Sequence, residues 1–108
     1  QIRGIEGDSE QLESLTPSRE AAVAFDLFRE MISGRPNWSN IAKILSDMEE
    51  DPEGIRRMIL AASRSTLLKN PKRANQAYII IDTFRENLYS SGAPGLAAMC
   101  WEIVSASK

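Results

Sequence analysis

Ala74-Asn75-Gln76-Ala77-Tyr78-Ile79-Ile80-Ile81-Asp82-Thr83-Phe84-Arg85-Glu86-Asn87-Leu88-Tyr89 decides the fold class. At its centre stand three consecutive isoleucines, and β-branched side chains favour extended chain. Read as a strand, Tyr78 to Ile81 is a lone four-residue segment with no partner elsewhere in the sequence. Read as a helix, Ala74, Ala77, Tyr78, Ile81, Phe84, Leu88 and Tyr89 recur every three or four residues along the whole segment. The spacing predicts a helix, and the longest apolar stripe in the chain.

The same period continues on both sides. Phe25, Phe28 and Ile32, with Ala21 and Met31, form one stripe; Trp38, Ile41, Leu45 and Met48 form a second behind the capping residue Asn37. Ile55, Met58, Ile59 and Ala62 make a third, and Leu96, Met99, Cys100 and Ile103 the last. Trp38, Trp101 and Cys100 are assigned to the core on this pattern, with the methionines filling gaps. Proline marks the starts. Thr16-Pro17, Asp51-Pro52 and Asn70-Pro71 each set a capping residue before the position where a missing N–H costs least, and Ala93-Pro94 is a weaker version. Gly34 and Gly92 fall where a left-handed residue would end a helix. Connections of about two to five residues predict largely antiparallel neighbours. The expected architecture is all-α, a compact bundle of about five amphipathic helices.

Composition supports one globular domain. The 108 residues are 43% apolar and 26% charged, a length and balance that serve a single core burying about two thirds of the unfolded surface. Cys100 is the only cysteine, so no internal disulfide can form. No run approaches the roughly 18 apolar residues of a membrane span, and no signal peptide is evident, so a cytoplasmic address is expected. Gln1 to Leu15 is polar, with Ile2, Ile5, Leu12 and Leu15 scattered among acids and glycines. The expected organisation is a linker over 1–15 and a helical domain over 16–108, cut from a longer protein.

The residue inventory offers little chemistry. There is no histidine, which removes the commonest general base and metal ligand and, with a single cysteine, the usual zinc sites. Gly92-Ala93-Pro94-Gly95 lacks the lysine and hydroxyl of a phosphate loop. The acids around Glu49-Glu50-Asp51, with Asp47 and Glu53, lack the register of a calcium loop and suit a helix N-terminus instead. No catalytic, cofactor-binding or metal-ligating residue is assigned.

Charge is unevenly distributed. Residues 1–53 hold twelve acids and five bases, and residues 54–108 three acids and eight bases. Such a gradient suits head-to-tail packing of like domains if the fold preserves it, and disappears if the fold interleaves the halves. Arg56, Arg57, Arg64, Lys69, Lys72 and Arg73 occupy a stretch without a single acid, Gly54 to Ile81. They form the candidate partner-contact surface. A solvated face, a protein partner and phosphates all remain open readings, although no interleaved aromatics offer bases a stacking platform.

Three stretches carry a family resemblance. They are Phe25-Asp26-Leu27-Phe28-Arg29-Glu30-Met31-Ile32-Ser33-Gly34, Asp51-Pro52-Glu53-Gly54-Ile55-Arg56-Arg57-Met58-Ile59-Leu60, and Phe84-Arg85-Glu86-Asn87-Leu88-Tyr89-Ser90-Ser91-Gly92 leading into Pro94-Gly95-Leu96-Ala97-Ala98. In this order they resemble the C-terminal helical collar domain of AAA+ clamp-loader subunits of the replication factor C and DNA polymerase III gamma type, from Ser18 to Val104. The resemblance implies a non-catalytic oligomerisation domain in DNA replication, partnered by other clamp-loader-like subunits and holding ATPase modules in a ring. It implies no cofactor in this domain and no membrane, and gives the domain alone no direct role on nucleic acid. The family's ATPase motifs belong to other domains and have no counterpart here. Two further readings compete: a free-standing helical interaction module, and a helix-turn-helix regulator built on the second and third helices. Against the last, Glu49-Glu50-Asp51 would place acids where phosphates lie.

Overall fold

The computed structural model describes residues 18–106. Among these residues the chain forms five α-helices and no strand: α1 (Arg19–Ile32), α2 (Trp38–Asp47), α3 (Pro52–Lys69), α4 (Ala74–Thr83) and α5 (Gly92–Ala106), with a 3-10 turn at Pro71–Arg73. The linker expected over 1–15 and the Thr16-Pro17 start lie outside the described residues. No helix of the described chain is long and apolar enough to cross a membrane.

Local chemistry sets the helix starts. Ser18 Oγ accepts from the N–H of Ala21 at 2.9 Å and caps α1. Asn37 Oδ1 accepts from Ser39 and Asn40 to cap α2, and Asp51 accepts from Glu53 and Gly54 to cap α3. Each supplies an acceptor to N–H groups that have no partner within their own helix. Asn70 also accepts an N–H, that of Lys72, but what it starts is the 3-10 turn that feeds α4. Gly34 adopts a left-handed φ of 83° just past the end of α1. Gly92 is left-handed as well, at 60°, yet it opens α5 where the sequence suggested the end of a preceding helix.

α3 is the spine of the bundle. Ile55 and Ile59 from α3 are fully buried against Leu27 and Met31 of α1, Ile41 of α2, Ile80 of α4, Phe84, and Leu96, Cys100 and Ile103 of α5. α1 and α3 run parallel. At their starts Arg19 pairs with Glu50 at 3.3 Å, and beyond their ends Arg73 Nη1 donates to the carbonyl of Ser33 at 3.0 Å. α2 carries the chain back between them. α4 is antiparallel to α3, as the short connection at Asn70 requires.

Three expectations need correction. In α1 the buried residues are Ala24 and Leu27, one step round from the predicted stripe, together with Met31 from the stripe itself, and Phe25 is 54% exposed. The predicted long helix stops at Thr83; Ile80 takes the core position expected of Ile81, while Tyr78 and Tyr89 are exposed. The residues from Phe84 to Ser91 therefore form a connection longer than any the sequence suggested. Trp101 is the third: it is 46% exposed, and its ring meets that of half-buried Trp38 edge-to-face at 5.0 Å and 81°. This contact ties α5 to α2 at the rim of the core rather than within it.

Candidate functional site

The basic group expected to form one surface divides when the chain folds. Arg56 is only 7% exposed and leaves the surface. Its Nε and Nη2 donate to the two carboxylate oxygens of Glu53 at 2.8 and 2.6 Å, and its Nη1 donates to the carbonyl of Phe84 at 2.7 Å. Glu53, itself 6% exposed, also accepts from Arg57 Nε at 2.9 Å and from the N–H of Leu88 at 2.8 Å. Arg57 stays outside but is engaged: it hydrogen-bonds the Tyr89 hydroxyl and lies over the Tyr89 ring, 5.9 Å from its centre.

Glu53 sits in the first turn of α3, so arginines three and four residues later come round to its side. The guanidinium of Arg56 holds the Glu53 carboxyl down to about 2, with the Leu88 N–H and Arg57 adding to the effect against the opposing pull of burial. This cluster fastens the connection after α4 to the start of α3. Its role is architectural. Reading the sequence only for acids within the basic stretch missed it, because Glu53 lies one residue outside; the signal was the spacing Glu53, Arg56, Arg57.

Arg73 is partly committed through Ser33. Arg64, Lys69 and Lys72 remain, exposed and with no side-chain partner among the described residues. They gather toward the C-terminal end of α3. At its other end are Glu49 and Asp51, exposed, beside Glu50 with its Arg19 partner. Eighteen helical residues at 1.5 Å each hold the two ends about 27 Å apart. Along α3 itself, exposed acids therefore stand at the start and exposed bases toward the end.

Between those ends the parallel pair α1 and α3 leaves a groove of about 510 Å³. Ala24, Phe25 and Phe28 line it from α1; Met58, Ala62 and Ser65 are among the residues that line it from α3. Of the stripe predicted as core, Met31 is buried and Phe28 and Ile32 pack at the edge of the core, while Phe25 and Phe28 line this groove. Phe25 is the largest apolar side chain it exposes.

Among the described residues no group of three or more Cys, Asp or Glu side chains could hold a metal ion. Cys100 is fully buried, and burial pushes its thiol up to about 12, so it carries no thiolate at neutral pH. The chain matches no protein-family model, no curated protein and no solved structure.

Proposed function

We propose that this domain is an assembly module that joins like domains and performs no chemistry itself. Its specific form is the one the resemblance implies, the helical collar of a clamp-loader subunit that holds AAA+ ATPase modules together in the cytoplasm. What supports the assembly reading is the sorting of exposed charge along α3, with Glu49 and Asp51 at its start and Arg64, Lys69 and Lys72 toward and just past its end, Lys69 about 27 Å from Asp51. Complementary ends of this kind orient one copy against another and make association dependent on salt.

The coding sequence on the 5′ side of the Gln1 codon tests the specific form. A glycine-rich phosphate loop and an Asp-Glu strand about one ATPase module upstream support the collar role. An initiator codon within a few residues overturns it and leaves the free-standing interaction module. The Phe25 groove favours that second reading equally, since among the described residues it is open and offers a contact surface.

A further inference from the structure

We propose that the α1–α3 face pairs with the same face of a second copy of this chain in an antiparallel, two-fold arrangement. In it Phe25 of each copy seats in the other's groove, and Asp51 faces the partner's Lys69. The inference rests on the assembly reading but does not need the ATPase connection.

The pattern along α3 selects the occupant. Asp51 and Lys69 are eighteen positions apart, five full turns, and so lie on one line of the helix. Met58, Ala62 and Ser65 fall within about 40° of that line, between the two charges. Read from the start of α3, the face is acid, apolar, base. Turned by a half-turn about an axis that crosses the groove at right angles to the helices, it reads base, apolar, acid, which is its own complement. A two-fold contact demands this property, since residue i of one copy must suit residue j of the other and the reverse. Phe25 and Phe28 add apolar area from α1, which runs parallel to α3 and turns over with it.

The size of the face sets the strength. Two neighbouring helices, about 21 and 27 Å long and each about 10 Å wide, offer roughly 480 Å² per copy, short of the ~800 Å² of a standard stable interface. The dimer is therefore a weak one, and dissociates more readily as salt screens the Asp51–Lys69 pairs.

Sedimentation of the full chain across the micromolar range, at low and high salt, tests this. The expected result is a reversible monomer–dimer equilibrium that weakens with salt. Phe25→Ser and Lys69→Glu should each weaken it about tenfold or more, with helical circular dichroism unchanged because both side chains are exposed. Carbodiimide should join Asp51 to the partner's Lys69, a link that one chain cannot make with itself across about 27 Å of helix. A ladder of higher oligomers overturns the two-fold geometry. Association that persists unchanged in Phe25→Ser overturns the use of this face and leaves the assembly reading standing. A monomer at every concentration overturns the pairing and leaves the assembly reading to the upstream coding sequence. A monomer whose Phe25→Cys variant also resists a thiol reagent overturns the pairing and assigns the groove to another segment of the same chain.

Discussion

The carbonyl of Phe84 and the N–H of Leu88 are four residues apart, the spacing of a helical hydrogen bond, and each is held by a different side chain. Arg56 donates to the first and Glu53 accepts from the second. One buried ion pair thus occupies both halves of the bond that would carry α4 onward toward Tyr89. The apolar period of the segment continues to Tyr89, but its backbone partners have been claimed from α3.

Removing the acceptor should let the helix run on. Glu53→Gln keeps the shape of the side chain but weakens its hold on Arg56, Arg57 and Leu88. The expected outcome is lower thermal stability together with helical carbon chemical shifts spreading beyond Thr83 into 84–88. Stability lost with those shifts unchanged would mean that the loop is held by something other than this pair. Asp82→Asn, which removes an exposed partner of Arg85, should change little by comparison.

The same carboxylate gives an acid limit. Its ordinary value of 4.5 falls to about 2 in the fold, so the folded state binds this proton less readily than the unfolded chain. Its contribution is complete above about pH 4.5 and is lost as pH falls toward 2. Chemical denaturation at a series of pH values should show stability declining through this window in the native protein. The decline should be shallower in Glu53→Gln.

Phe84 is fully buried at the point where the helices converge. Phe84→Ala should cost about 3–5 kcal/mol by transfer and cavity terms together, read as a shift of the urea midpoint. Lys72 is exposed and its side chain has no partner among the described residues, so Lys72→Ala should stay within about 0.5 kcal/mol of the native protein.

Cys100 should resist thiol reagents in the folded state, because its thiol is buried and its ionisation suppressed. Reaction with a chromogenic disulfide should be slow in buffer and rapid in denaturant. Fast labelling in buffer would place α5 away from the core.

Gly54 lies in the first turn of α3 with an ordinary helical backbone. A Cβ there would meet the carboxylate of Glu20, and that carboxylate is the movable end of a side chain. Gly54→Ala should therefore stabilise the domain by up to about 1 kcal/mol through helix propensity, measured by thermal unfolding. A loss would show that Glu20 is held where it stands.

How much of this was legible in the sequence depends on the range of the interactions. Asp51-Pro52 and Asn37 marked helix starts correctly, because a cap and its N–H groups are neighbours in the chain. Ile55, Ile59, Leu96, Cys100 and Ile103 were placed on buried faces by their period alone. In α1 the period found Met31 but could not rank the adjacent apolar residues, Ala24 and Leu27 on one side and Phe25 and Phe28 on the other, since only the arrival of α3 decides which are covered. The end of α4 was beyond local reading. It depends on Glu53 and Arg56, some 30 residues earlier in the chain, reaching Phe84 and Leu88. The basic surface was misjudged for the same reason: Arg56 looks solvated until the partner one turn before it is seen to be buried with it.

The two indoles, crossed at 81° with centres 5.0 Å apart, have an optical consequence. Chromophores this close and this far from parallel couple their transitions, so the pair should imprint a signed doublet on the circular dichroism spectrum that neither ring alone would give. Because one ring rides on α2 and the other on α5, the doublet is lost as soon as those helices part, even while backbone helicity persists. The domain thus contains its own unlabelled gauge of whether its last helix is docked.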